Sequence, residues 1–281
     1  MDLDPISKLA RDIKAATAEL TPSEARYLVD SYYEIQEYRK AAHNQVRALT
    51  TSEEPCEIIQ WLGDQMETLE NQIKRVLDGY TNSLEVGRWM KGITGIGPVL
   101  SAGLLAHIDI DKAPTVGHIW RFAGLDPTTK WEKGQKRPWN ARLKVLCWKI
   151  GESFVKTCNN DKSFYGPIYQ ERKLLEIQRN EAGQFADQAA AVLQSKKIGK
   201  DTEAYAWYSQ GKLPPAHLHA RACRYAVKLF LSHLHEVWYK EHFHVAPPAP
   251  YPIAHMGHVD KITPPLTPLA AVKVMGSACQ E

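Results

Sequence analysis

Apolar and polar positions along most of this chain repeat with the period of a helix rather than that of a strand. Beyond Pro22 no glycine or proline interrupts the run to about Leu49, and Leu28, Tyr32, Ile35, Tyr38 and Ala42 recur at spacings of three and four. Thr21-Pro22-Ser23-Glu24 supplies the start: a threonine that can cap, a proline suited to the first turn and a glutamate that reaches back to the cap amide. A short helix over residues 5–20 is expected before it. A third helix is expected over 54–79, where Ile58, Ile59, Leu62, Met66, Leu69, Ile73 and Val76 form the same kind of stripe. Two long helices joined by Thr50-Thr51-Ser52 make an antiparallel, coiled-coil-like hairpin, and residues 1–90 are read as that element. Such a hairpin serves as plain scaffold or as a dimerisation or docking arm.

The pattern changes after residue 90, and 91–244 reads as a second helical domain. GITGIGPVLSAGLLAHIDI is glycine-rich and then apolar, and VGHIWRFAGLDP follows it. A basic amphipathic helix is expected over 140–157, another over 164–178 and a short one ending near 194. A loop at 196–200 follows, and Pro214-Pro215 opens a final helix to about Phe243. Residues 245–281 are dense in proline, which removes a donor and cannot continue a helix, so this tail is extended or ordered by packing on something else. The expected fold class is all-α.

Composition sharpens this picture in four respects. Hydrophobic residues at 44% and charged residues at 24% fit a folded globular chain. No apolar run approaches the roughly 20 residues that cross a bilayer, and the N-terminus lacks a secretory core, so a cytoplasmic protein without membrane contact is expected. Cys56, Cys147, Cys158, Cys223 and Cys279 are odd in number and form no CxxC, which fits reduced thiols. The net charge of +3 is small, but residues 130–156 carry eight Lys and Arg against Glu132 and Glu152. A local field of that sign suits a polyanion.

Three signals point to nucleic acid. In Gly95-Ile96-Gly97-Pro98, a turn of helix-hairpin-helix type, the glycines permit close backbone approach and the amides of the following helix start attract phosphate. A tight turn between core helices is the alternative. In the basic run, Lys130, Lys133, Lys136, Arg137, Arg142 and Lys144 can neutralise phosphates. Trp131 and Trp139 can stack on unpaired bases, and Asn140 opens the basic helix. A solvated loop whose tryptophans fold back on the core is the alternative here. In the final helix His217, Arg221, Arg224 and Lys228 share one face. The pairs His217/His219, His233/His235 and His242/His244 are two residues apart and point away from each other on a helix, so no metal is expected from them. Asp109, Asp111, Asp126, Glu132, Glu152 and Asp161 show no magnesium-cage pattern, and no Walker loop or nucleophile elbow occurs. No catalytic residue and no cofactor is expected.

GITGIGPVLSAGLLAHIDI, the later FAGLDP, the Asn140–Leu146 helix start and HLHARACRYAVKLFLSHL together resemble the C-terminal domain of bridge-RNA-guided insertion-sequence transposases over roughly 90–240. Those transposases carry an N-terminal RuvC-like domain and a serine after the AGL-x-P turn that acts in strand exchange. Here a helical hairpin stands at the N-terminus, and residues 128–134 read Thr-Thr-Lys-Trp-Glu-Lys-Gly. A long hairpin joined to such a domain is similar to the Nop-type core of box C/D ribonucleoproteins and to the Tas proteins of tandem interspaced guide RNA arrays, in their nuclease-free form. The resemblance implies a bacterial, archaeal or phage-encoded homodimer that binds a short structured guide RNA and presents it to target DNA. The alternative is a catalytically deficient or accessory transposase relative that binds DNA directly.

Overall fold

The computed structural model describes residues 17–255 and 261–265; the helix expected over 5–20 falls largely outside them. Among the described residues every regular element is helical, eleven α-helices and two short 3-10 turns, so the all-α expectation holds. None of these helices is long and apolar enough to cross a membrane. The chain divides into two compact units. The first takes the residues up to Gly92 together with Ile96–Lys112, and the second takes Ile93–Gly95 with the residues from Ala113 onward.

In the first unit, α1 (Pro22–Thr51) opens on the expected capping box: Glu24 N donates to Thr21 Oγ1 at 3.3 Å and Thr21 N donates to Glu24 Oε2 at 2.9 Å. α2 (Glu57–Asn82) returns beside it, and α3 (Glu85–Lys91) and α4 (Pro98–His107) follow. The hairpin helices form as expected, but the buried face differs from the expected stripe. Ala25 and Val29 of α1 and Ile73, Leu77 and Tyr80 of α2 are buried, whereas Tyr38, Ile58 and Leu62 are 68%, 66% and 42% exposed. Farther out the contact is polar: Glu70, 10% exposed in its side chain, accepts from Arg39 Nε at 2.6 Å and from Gln36 Nε2 at 3.0 Å. A 30-residue helix presents several candidate stripes, and only the partner's position selects one. α4 is apolar nearly all round, so it cannot stay on a surface; it packs against both hairpin helices, with Arg26 Nη1 donating to Ala106 O at 2.5 Å. The first compact unit therefore holds α4 as well as the hairpin.

The second unit holds α5 (Val116–Phe122), α6 (Ala141–Lys156), α7 (Tyr165–Glu181), α8 (Ala186–Ser195), α9 (Glu203–Ser209), α10 (Pro215–Phe243) and α11 (Tyr251–His255). The long α10 is its spine, packed by α5, α6 and α7. Phe154, Tyr165 and Phe230 are fully buried, with ring centroids 4.7 to 5.7 Å apart. α9 has no counterpart in the sequence expectation, although Thr202 caps it by accepting from Tyr205 N at 3.2 Å. α10 ends where expected, at a left-handed His244 ahead of the prolines. The described part of the tail is neither wholly extended nor loose. It forms the single turn α11 and then docks, with Ile262 O accepting from His233 Nε2 at 2.8 Å and Lys261 3.0 Å from Glu236.

Candidate nucleic-acid interface

Residues 123–140 join α5 to α6 without regular structure. Eighteen such residues are well above the usual connection inside a compact unit, and loops of that length are generally functional or disordered. This one is tied down at both ends. At its start Gly124 adopts φ +65°, and a Cβ there would meet Trp139 Cγ at 2.9 Å and Lys144 Cδ at 3.1 Å, so glycine is required. Asp126 accepts from Thr128 N at 2.9 Å, Thr128 Oγ1 at 2.7 Å and Thr129 Oγ1 at 3.2 Å; the Thr128 amide leads in holding its carboxyl below the ordinary range. At its end Asn140 N donates to Phe122 O at 2.8 Å, and Asn140 Oδ1 caps α6 by accepting from Leu143 N at 3.0 Å. Between these staples residues 130–138 are exposed, and Lys130, Lys133 and Lys136 make no ion pair among the described residues.

The two loop tryptophans are less available than their exposure suggests. Trp131, 40% exposed, donates its indole N–H to Gln135 O at 2.7 Å and carries the Arg137 guanidinium 5.3 Å from its ring centroid. Trp139 lies on Gly124 with Lys144 Nζ 4.3 Å from its ring centroid. Each aromatic already has a cation on its face. The aromatic that stands open is Trp148, 64% exposed and the most exposed tryptophan among the described residues. It sits on α6 four residues after Lys144, so the two share a side of the helix, and Val145 beside it is 51% exposed. Sequence reasoning missed Trp148, yet the signal was there. Leu143, Leu146, Cys147, Ile150 and Phe154 mark the buried stripe of α6, and position 148 falls off it.

Charge on α6 is unusual in its direction. No acidic residue occupies the first turn, whereas Arg142 and Lys144 lie within the first four positions. The N-terminal end of a helix is its positive end, so cations there cost a few tenths of a kcal/mol each unless an anion sits nearby. Residues 130–144 thus present exposed lysines, a cation-bearing helix start and, one turn further on, an open indole.

The α10 cations are arranged otherwise. Arg221 Nε donates to Glu176 Oε2 at 2.7 Å, Arg221 Nη1 to Gln188 Oε1 at 3.1 Å, and the guanidinium lies 4.5 Å from the Phe185 ring centroid. Glu176 is fully buried. Burial opposes its charge, but the guanidiniums of Arg221 and Arg172 prevail and keep its carboxyl below the ordinary range. His217 Nδ1 lies 3.3 Å from Tyr208 Oη. Burial lowers its pKa, and Arg224, Arg221 and Lys196 lower it further. Lys228 Nζ stands 4.2 Å from the Trp120 ring centroid, its pKa lowered by burial, with Asp126 acting in the opposite direction. Arg224 is exposed and unpaired among the described residues. The four residues share one side of α10 as expected, but three of them, His217, Arg221 and Lys228, have partners in the protein.

The glycine turn is divided between the units. In the second, Gly95 has φ +95°, and Ser153 Oγ donates to its carbonyl at 2.5 Å; a Cβ would lie 3.1 Å from that hydroxyl and 3.2 Å from Thr157 Oγ1. Close approach at Gly95 is therefore to protein. In the first, Gly97 is the N-cap of α4, nothing lies within 4 Å of where its Cβ would be, and Pro98 fills the first helical position.

Residues 88–145 match the Transposase IS116/IS110/IS902 family. The match begins in α3, takes in both glycines, α4, α5 and the whole stapled loop, and ends in the first turns of α6. It supports a relationship between this chain and the transposases of that family over the segment that carries the basic run. No curated protein and no solved structure matches the chain.

Proposed function

We propose that this transposase-related chain is an RNA-guided DNA-binding protein. A short structured guide RNA lies along the 130–144 loop and the open face of α6, and base pairing by that RNA selects the DNA. The observation that carries the reading is the stapled loop: eighteen residues held at both ends, with three lysines that make no ion pair among the described residues, leading into a helix whose positive end bears cations. A loop held in one conformation with exposed lysines supports a phosphate-binding role. Lysines and backbone amides read shape and phosphate, and Trp148 supplies a platform for one unpaired base. Dimerisation through the hairpin belongs to the same reading, and the exposed Tyr38, Ile58 and Leu62 of α1 and α2 are the apolar surface it would use. The reading assigns no cutting or strand transfer to this chain.

A second reading, direct binding of DNA by a catalytically deficient or accessory transposase relative, is favoured by the family match itself. The full chain, purified at low ionic strength, distinguishes the two. Extracted and sequenced nucleic acid that is short RNA of uniform length supports the first reading. DNA affinity without copurifying RNA supports the second. Indifference to both polymers removes both.

A further inference from the structure

Behind the α6 face, α6 and α10 approach closely. A Cβ at Gly151 would lie 3.3 Å from Val227 Cγ2 and 3.4 Å from Cys223 Cβ. That approach brings Glu152 of α6 to His219 and Cys223 of α10, and a ligand-competent atom of each lies within 4.8 Å of the others. We propose that Glu152, His219 and Cys223 bind a zinc ion, with water in the fourth position. This inference stands apart from the nucleic-acid reading.

Two of the separations to His219 Nε2 are close to the edges of a zinc tetrahedron, although the thiol and the imidazole are also within reach of a sulfur hydrogen bond. Bonds of about 2.3 Å to sulfur and about 2.0–2.1 Å to nitrogen and oxygen give edges of about 3.6 Å for S···N and about 3.4 Å for N···O. Cys223 Sγ lies 3.6 Å from His219 Nε2 and 3.9 Å from His219 Nδ1, and Glu152 Oε1 lies 3.7 Å from Nε2, so taking up the ion requires the thiol to turn from the ring toward the Nε2 lone pair. The Glu152–His219 separation is too long for a hydrogen bond and becomes an ion pair only with a protonated imidazole. The donor set, one thiol, one imidazole and one carboxylate, is of borderline softness and suits Zn2+ better than Mg2+ or Ca2+.

The imidazole is also oriented for the task. Tyr169 Oη lies 2.8 Å from His219 Nδ1, and with the proton on Nδ1 the phenol oxygen accepts it and leaves Nε2 unprotonated toward Glu152 and Cys223. A partner on the far nitrogen is the usual support of a metal-bound histidine. His219 and Cys223 are four residues apart on α10, the spacing at which two helical side chains converge on one ion. Testing histidines against histidines overlooks this pair. Both the Glu152 and the His219 side chains are about one-third exposed, which leaves room for water on the open position. Without metal, burial and Glu152 push the Cys223 thiol up to about 11; zinc binding expels that proton to solvent as the thiolate–metal bond forms.

The test uses the full untagged chain, stripped with chelator and reloaded with Zn2+ or Co2+. One zinc per chain is expected by elemental analysis after dialysis. The Co2+ form is expected to show a sulfur-to-cobalt charge-transfer band and tetrahedral visible bands. Cys223→Ser should abolish the charge-transfer band and weaken Zn2+ at least a hundredfold in competition with a chromogenic chelator. Tyr169→Phe should weaken it about ten- to a hundredfold while leaving the band in place. Cys56→Ser, in the other unit, should change neither. Circular dichroism of the metal-free variants shows that they fold, and Glu152→Gln offers a milder ligand change. A wild-type protein without the charge-transfer band, or equal Zn2+ affinity in Cys223→Ser and Cys56→Ser, overturns the proposal.

Discussion

The loop at 123–140 and the helix α10 both looked basic in sequence, and the structure uses their charges differently. Arg221 neutralises a carboxylate that has no contact with water, and Lys228 lies over an indole. Lys130, Lys133 and Lys136 of the loop make no ion pair among the described residues. A buried ion pair is held by its partner, whereas an exposed cation without one is available to a polyanion. Counting positive residues therefore overstates α10 and understates the loop, and cations become evidence for an interface only after their internal partners are subtracted.

Substitutions should break the comparison in that order. Arg221→Ala leaves Glu176 buried with Arg172 alone, and denaturant unfolding should show a loss of about 3 kcal/mol. The loop triple variant Lys130→Ala/Lys133→Ala/Lys136→Ala should stay within about 0.5 kcal/mol of the parent in the same assay. Equal losses would erase the distinction. Trp148→Ala should cost about 1–3 kcal/mol of binding to an RNA with unpaired bases and little stability, measured by titration beside a thermal melt. Trp131→Ala, whose ring already carries Arg137, should cost less binding.

The smallest effect is on pH. Burial is the first cause holding His217, His233 and His235 below the ordinary imidazole value, and for His233 the geometry agrees. Tyr165 Oη lies 2.8 Å from its Nδ1 and Ile262 O lies 2.8 Å from its Nε2, an arrangement that suits the neutral ring. The unfolded chain takes up these protons first, so stability is full above about pH 6.5 and declines as pH falls through and below that value. Glu70 and Glu176, held below the ordinary carboxylate range, add a further decline below about pH 4.5. A denaturation midpoint that rises between pH 7 and 5 would contradict this sign.

Much of the backbone could be read from the chain, because capping and breaking are local. The Thr21–Glu24 box, Asn140 at the head of α6 and the stop at His244 depend on residues within a turn or two. What required the structure was non-local. Gln36, Arg39 and Glu70 meet across the hairpin through polar atoms that an apolar stripe cannot register. The pairing of Trp139 with Lys144, and of each with Gly124, depends on how a loop folds back on itself. Short α9 escaped because seven residues carry too little period to stand out in a polar stretch.

The salt dependence of RNA binding measures whether the exposed loop lysines meet phosphate. Affinity of the full chain for structured RNA should be determined across a series of salt concentrations, for the parent and for the Lys130/Lys133/Lys136 triple alanine variant. The slope of log affinity against log salt should flatten by about two to three, nearly one for each lost phosphate contact, with folding unchanged. An identical slope in parent and variant would show that these lysines touch no phosphate and would contradict the account.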